Sequence, residues 1–256
     1  MKGGALLAIQ RVKSKWAKTK VLLLSEPLRE RIPVTKRWHI PQLAAMLEQH
    51  GMVYVKPDQG TFGLGVVRVE KLPDGRYTYQ SGTHPQHFPS FDKMAASLQK
   101  RIGSRQYLIQ QGIPLLSYDG LRFDIRVMVQ CNPKQEWETT GIIGRLSHPK
   151  KIVTNYHSGG VPMAFDKLME PHLTQPQVDS YKMWLAEIGT SVARQLQTRY
   201  PRLKELGIDI AIDESFRPWI LEVNTLPDPY IFRKLDDKTM FRRIYRYCLA
   251  YDRRMK

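Results

Sequence analysis

The chain has 256 residues, 42% of them hydrophobic, and 40 Lys and Arg against 24 Asp and Glu give a formal charge of +16. That length supports one large domain or two lobes with sizeable cores, and no apolar run approaches the roughly 20 residues of a membrane span. Two distant cysteines, Cys131 and Cys248, form neither a disulfide framework nor a metal spacing, so free thiols in a cytoplasmic protein are expected. The apolar opening Met1 to Ile9 is too short for a signal peptide and runs into Arg11, Lys13 and Lys15. Basic residues crowd both ends, which favours anionic partners: nucleotides, nucleic acid, acidic polymers or acidic proteins. No zinc-finger, RNP-type or basic-zipper pattern accompanies them, so specific nucleic-acid binding is not expected.

In chain order, Ser14 to Arg31 reads as a helix ended by Pro33-Val34-Thr35, and Ile40 to His50 as a second amphipathic helix stopped by Gly51. Met52 to Pro57 is a buried strand ending in Lys56. Asp58 to Gly65 is a glycine-rich loop, and Val66 to Glu70 is the returning strand. Strand, loop, strand excludes the dinucleotide and Walker arrangements, in which the glycines open a helix. Backbone N–H groups of such a loop can approach phosphates unobstructed, and Lys56 can reach one as a point charge. The alternative is an ordinary glycine-rich hairpin.

A further hairpin is expected over Leu72 to Gln80, turning at Pro73-Asp74-Gly75, and then a polar loop from Ser81 to Ser90. The spacing of His84 and His87 in that loop reads as chance. Phe91 to Ile102 is a helix stopped by Gly103. Gln106 to Ile113, Phe123 to Gln130 and Trp137 to Leu146 are strands, with Asp124, Arg126 and Met128 on one face of the second. Thr154 to Gly160 is a polar loop. Thr174 to Tyr200 is the longest helix, with Thr174 as N-cap and an apolar stripe from Val178 to Leu196 that reads as core. A basic helix, about Asp236 to Tyr251, closes the chain.

Between these helices lies a hairpin, Gly207 to Asp213 and Trp219 to Asn224, turning through Asp213 to Pro218. Alternation places Asp209 with Glu222 and Asn224 on one half-buried face, and Ile220 on that face too. Desolvated carboxylates repel and require cations or protons. Hard oxygen ligands with no Cys or paired His nearby suit Mg²⁺ or Mn²⁺, which complete their shells with phosphate oxygens and water. The alternative is a solvated polar face.

Taken together, these segments resemble the ATP-grasp superfamily. Val55-Lys56-Pro57 with its glycine loop is similar to that family's first nucleotide-binding lobe; Asp124-Ile125-Arg126, Gly144-Arg145, Asn155 to Gly160 and the Asp209–Glu222-Val223-Asn224 hairpin are similar to its second, in the same order. The Asn155 to Gly160 segment resembles ribosomal-protein glutamate ligases, and the Asp209 to Glu222 interval resembles D-alanine–D-alanine ligases. Lys15-Trp16, Pro33-Val34-Thr35 and Ile109 to Ile113 are similar to the YheC/YheD group, endospore coat-associated proteins of Bacillus-type bacteria.

The resemblance implies an α+β, ATP-grasp fold of two lobes, each an antiparallel sheet with helices and with nucleotide between them. Its divisions would be a basic extension over 1–13, a first lobe over 14–105, a second over 106–235 and a basic helix over 236–256. Lys56 and, among the early lysines, Lys15 would contact ATP; Lys13 and Lys18 compete for the latter role. Thr61, Phe62, Gly63, Leu64 and Gly65 would cover the phosphates, Asn155 would line the nucleotide site, and Gln111, Gly112 and Ile113 would meet adenine at the hinge. Asp209, Glu222 and Asn224 would bind Mg²⁺, while Arg126 and Arg145 would hold the γ-phosphate and the developing acyl-phosphate. Asp213 falls in the turn and is not counted as a ligand. The family's ligases usually carry a further N-terminal domain; about a dozen residues precede the first helix here, so the resemblance implies that this domain is largely missing. The implied activity is an ATP-dependent carboxylate–amine or carboxylate–thiol ligase acting on an acidic or carboxylate-bearing acceptor, with the spore coat and its proteins as setting and partners. The alternative is a non-catalytic nucleotide-binding or structural component of that coat. A protein-kinase-like fold fails for lack of His-Arg-Asp and Asp-Phe-Gly motifs.

Overall fold

The computed structural model describes residues 8–253; the opening stretch Met1 to Leu7 and the last basic residues Arg254 and Lys256 lie outside them. Helix α1 (Lys15–Leu22) and the single turn α2 (Glu26–Arg29) replace the one helix expected over Ser14 to Arg31. Pro27 has no N–H for a helix running in from α1, so the chain breaks at Leu23 to Ser25 and restarts with Pro27 in the first turn of α2. A strand β1 (Thr35–Arg37) follows, then α3 (Ile40–His50), which Gly51 ends in a left-handed conformation at φ 69°.

β2 (Met52–Pro57), β3 (Val67–Lys71), β4 (Tyr77–Ser81), β5 (His84–Phe88), α4 (Phe91–Ile102) and β6 (Tyr107–Gln111) complete the first unit. Its sheet is antiparallel, in the order β1-β6-β2-β3-β4-β5. The segment expected as a polar loop, Ser81 to Ser90, instead carries β5. Gly82 at φ 76° allows a two-residue turn, and Ser81 pairs with His84. Its polar residues and Pro85 are tolerated because β5 is an edge strand, exposed over most of its length. Helices α3 and α4 bury Leu43, Met46, Leu47, Met94 and Leu98 against Val53, Val55, Val69 and Ile109 of this sheet.

β7 (Ser117–Tyr118), β8 (Leu121–Cys131), β9 (Trp137–Leu146), β10 (Val161–Ala164), α5 (Phe165–Met169), α6 (Gln175–Gln197), β11 (Glu205–Ile212), β12 (Pro218–Asn224) and α7 (Thr239–Ala250) form the second unit. Its sheet runs β10-β9-β8-β11-β12, antiparallel, with β7 on β8. α6 starts in a capping box made by Thr174 and Gln177. It buries Val178, Leu185, Val192 and Leu196 on one face of the sheet, against Ile125, Val127, Val129, Ile208 and Ile210. Val21, Leu22 and Leu28 of α1 and α2 join this core. On the opposite face, Phe232, Ile244 and Cys248 pack on Met128 and Ile143. The alternation along β8 therefore does two jobs: Ile125, Val127 and Val129 face α6, while Asp124, Arg126 and Met128 face the other way, as expected. The polar end of that second face, beyond the cover of α7, is where the candidate site lies.

Candidate functional site

Strand pairing sets the carboxylates. Asp209 on β11 lies opposite Glu222 on β12, and Gly207 opposite Asn224, so the three side chains share a face as expected. One expectation fails here. A β-bulge after Asp209 pairs Ile210 with Ile220, so Leu221 is the extra residue and Ile220 turns into the core beside Ile210 and Val223 rather than sharing the face of Glu222. The carbonyl of Leu221 instead accepts from Lys56 Nζ at 3.0 Å and Gln110 Nε2 at 3.3 Å, across the space between the two sheets. Asp213 caps the turn, accepting from the N–H groups of Ser215 and Arg217 and from the Trp219 indole, a structural role in keeping with its exclusion as a ligand.

The neighbouring strands supply the cations. Register puts Arg126 opposite Asp209 and Arg145 opposite Asp124. Arg145, 3% exposed, holds Asp124 in a fork at 2.8 and 2.5 Å and reaches Asp209 Oδ1 at 3.1 Å; Arg126 Nε donates to the same Oδ1 at 2.5 Å. Burial pushes the Asp209 carboxyl up, but Arg126 and Arg145 outweigh it and hold it below the usual carboxylate range. Burial likewise opposes the charge on Arg145, and Asp124 and Asp209 overcome it, so the guanidinium stays charged. Among the described residues neither terminal amine of Arg126 makes a hydrogen bond, so Arg126 keeps both for an incoming anion, while Arg145 commits Nε to Asp124 and Nη2 to Asp124 and Asp209.

Among the described residues no three His, Cys, Asp or Glu side chains cluster to hold a metal, so the candidate set is two carboxylates and the Asn224 amide. Among the described residues Asp209 Oδ2 and Glu222 Oε2 have no protein partner, which leaves oxygen donors on one face. Such a set fits Mg²⁺ that takes its remaining ligands from phosphate and water.

Three lysines meet this hairpin from the other side. Lys15 Nζ donates to Gly60 O at 2.9 Å and lies 3.5 Å from Glu222; Lys18 Nζ donates to Val12 O; Lys56 Nζ also donates to Gln110 Oε1 at 2.8 Å. Burial, partly offset by Glu222, lowers Lys18 and Lys56 to about 8. The cavity that Lys15, Lys18, Lys56, Gln110 and Glu222 line has a volume of about 20 Å³, room for about one water, whereas a small-molecule site needs hundreds. Lys56 and Gln110 thus tie the sheets together through Leu221 O, and a nucleotide would have to take over those bonds. Of the early lysines, Lys15 and its competitor Lys18 both line the site, three residues apart on one face of α1, and Gln110 joins it beyond the residues expected to form it; strand alternation alone did not single out Gln110.

The glycine loop folds down on the second unit. Phe62 is held at φ 60°, its ring packs edge-on to His157 at 4.2 Å, and its carbonyl accepts from Ser158 Oγ. A Cβ on Gly63, at φ 73°, would lie 2.9 Å from Asn155 Oδ1, so Gly63 and Asn155 are neighbours across the two units. Thr61 and Leu64 are exposed on this loop, and Gly65 comes as close to the Tyr107 hydroxyl as Gly63 does to Asn155. At the hinge, the N–H groups of Gln111 and Gly112 are occupied by Val34 O and Met52 O, and among the described residues the N–H of Ile113 has no acceptor. Of the three hinge residues expected to meet adenine, Ile113 is the one with a donor to give.

Two antiparallel sheets, a glycine loop folded onto the second unit, and lysines facing a carboxylate hairpin define the arrangement. A family model, YheC/D like ATP-grasp, matches residues 7–255. The chain belongs to this family. It is 27% identical over 185 residues to endospore coat-associated protein YheD of Bacillus subtilis, covering 70% of this chain and 40% of that protein. It is 28% identical over 190 residues to endospore coat-associated protein YheC of the same organism, covering 73% of this chain and 52% of that one. The chain therefore spans about half the length, or less, of these two relatives. An ADP complex of N5-carboxyaminoimidazole ribonucleotide synthetase superposes with a TM-score of 0.56 at 10% identity, over 93% of this chain and 52% of that one. D-alanyl-alanine synthetase A of Vibrio cholerae superposes at 0.52 and 12%, over 93% and 65%. These likenesses establish the ATP-grasp fold, α+β with two antiparallel sheets, across most of the chain.

Proposed function

We propose that this YheC/D-like chain binds Mg-ATP between its two sheets and uses it to join a carboxylate to an amine or thiol. The observation that carries the reading is the meeting of Asp209, Arg126 and Arg145 on one sheet with Lys56 from the other and Lys15 from α1, a set of oxygen donors and cations converging on one place. Asp209, Glu222 and Asn224 would hold Mg²⁺, which when bound neutralises phosphate charge and aligns oxygens. Lys56 and Lys15 would bind phosphate oxygens in place of Leu221 O and Gly60 O, with Lys18 behind them. Residues 61 to 65 and Asn155 would exclude water from the transferring phosphate. Arg126, with free terminal amines, would orient the γ-phosphate and stabilise its charge during transfer. Arg145 would fix Asp209 and support the acyl-phosphate charge through it. In the reaction a carboxylate oxygen attacks the γ-phosphorus and ADP leaves; the nucleophile then attacks the acyl carbon, loses a proton and expels phosphate.

The formal charge of +16 favours an acidic acceptor such as a glutamate-rich peptide, and the named relatives suggest the spore coat and its proteins as the setting. One observation favours a non-catalytic reading instead: Asp209 is already balanced by two arginines and Glu222 by Lys15, so the carboxylates do not by themselves demand a metal. ADP release separates the two. Purified chain with Mg-ATP and a glutamate-rich peptide should release ADP in step with peptide concentration, and Lys56→Ala should abolish the release. Nucleotide binding with no ADP release across acidic peptides and anionic polymers supports the scaffold.

A further inference from the structure

The face of β11 that carries Asp209 also carries Glu205, four residues back and 0% exposed. A buried carboxylate is costly unless paired, and this one is paired twice. Arg11 lies 2.7 Å from Oε1; Arg253 lies 2.6 Å from Oε2, which also accepts from the Tyr251 hydroxyl at 2.9 Å. Two guanidiniums share one carboxylate, and their excess charge is met by carbonyls of a single short segment. Arg11 donates to Thr225 O, and Arg253 Nη2 donates to Pro227 O at 2.8 Å. Val12 N–H adds a bond to Thr225 Oγ1 at 2.8 Å.

That segment, Thr225-Leu226-Pro227, begins immediately after Asn224. It crosses β11 between Glu205 and Asp209, over Gly207: a Cβ on Gly207 would lie 2.7 Å from Pro227 Cβ. Only glycine allows so close an approach there. Residues 11 and 12 and residue 253, far apart in sequence, thus converge on the three residues that follow the hairpin, with Glu205 at the centre.

We propose that Glu205 is a positioning residue for Asn224: through Arg11 and Arg253 it fixes the segment that sets where the Asn224 amide oxygen sits relative to Asp209 and Glu222. This inference rests on the Mg-ATP reading above. Mg²⁺ requires near-octahedral oxygen geometry, so a ligand whose backbone is released loses affinity out of proportion to its own bond. Supporting residues of metal ligands typically contribute 10- to 100-fold in affinity.

The test compares the unmodified chain with Glu205→Gln and Thr225→Val, the second of which removes only the side-chain acceptor for Val12 N–H. ATP affinity is measured calorimetrically in the presence of EDTA, and the Mg²⁺ concentration for half-maximal tightening is measured at fixed ATP. Glu205→Gln should raise that Mg²⁺ concentration at least tenfold and leave metal-free ATP affinity within about twofold; Thr225→Val should move it in the same direction by less. Equal weakening of both affinities, or an unchanged Mg²⁺ requirement in a folded variant, overturns the inference. If Glu205→Gln does not fold, Thr225→Val decides. If the unmodified chain binds no nucleotide, the Mg-ATP reading fails and hydrogen exchange decides instead. The amides of Asn224, Thr225, Leu226 and Asp228 should then exchange at least tenfold faster in the variant with those of β8 unchanged, and unchanged exchange at the four overturns the inference.

Discussion

Replacing Asp209 by Asn keeps the shape of the side chain and removes its charge from between two buried arginines. Arg145 would retain Asp124, held at 2.5 and 2.8 Å, but Arg126 would lose the carboxylate it holds at 2.5 Å. Breaking a buried ion pair from one side costs about 3–5 kcal/mol, and the surviving Asp124 contact argues for the low end. At about 2–4 °C per kcal/mol for a chain of this size, the melting temperature should fall by roughly 6–12 °C at pH 7. The arginines hold the Asp209 carboxyl below its ordinary value, so its contribution is present above the unfolded carboxylate pKa and is lost as pH falls through the folded value. The gap between the two proteins should therefore narrow below about pH 4. Circular-dichroism melts over a pH series measure both effects. A variant that melts within about 1 °C of the parent at pH 7 would refute the assignment of Asp209 as the hub of the buried ionic cluster.

The lysines give a pH dependence of opposite sense for stability and binding. Lys18 and Lys56 are lowered to about 8, below an unfolded value near 10.4, so the unfolded chain binds more protons between those values and stability should rise with pH across that window. Nucleotide affinity should fall over the same window, because phosphate needs the charged amine; calorimetry in buffers of different ionisation enthalpy should show proton uptake on binding above pH 8, and its absence would remove these lysines from the phosphate contacts. Gly63→Ala introduces strain at φ 73° and a Cβ 2.9 Å from Asn155 Oδ1 in the closed loop. It should weaken nucleotide binding while shifting the melting temperature of the free protein by less than about 2 °C, since loop residues there bury little. Phe123→Ala, in the middle of the second core at 0% exposure, should cost about 3–5 kcal/mol by thermal or urea unfolding.

Much of the fold was legible because its elements are locally consistent. The expected bounds for Ile40 to His50, Met52 to Pro57, Phe91 to Ile102 and Trp137 to Leu146 are the observed ones, each marked by period and by a stop such as Gly51 or Gly103. Three features were not legible. The break after α1 is set by Pro27 together with packing of Leu22 and Leu28 on the second core, a tertiary preference that local apolar spacing does not reveal. β5 is an edge strand without apolar alternation, and its pairing depends on the Gly82 turn. The bulge at Leu221 inverts the face of Ile220; a bulge adds one residue, and period-two counting assumes none. At the site, Asp209 and Glu222 followed from strand alternation and Lys56 from its place at a strand end, while Arg126 and Arg145 were singled out by the family resemblance. The Arg145–Asp124 fork and the Glu205 cluster depend on long-range register and on residues at the far ends of the chain, which no local window contains.

The central claim is that Mg-ATP binds between the sheets on the carboxylate hairpin. A thermal melt with and without Mg-ATP, on the unmodified chain and on Glu222→Gln, tests it most directly. Glu222 suits the purpose because it is a proposed ligand whose side chain is the more exposed member of its ion pair with Lys15, at 3.5 Å. Ligand at about 100 times Kd should add about 2.7 kcal/mol, a rise of roughly 5–10 °C in the unmodified chain. The rise should shrink or vanish in Glu222→Gln, each rise being measured from that protein's own ligand-free melting temperature. An equal rise in both proteins would move the nucleotide off the hairpin, and no rise in either would contradict the account for this chain.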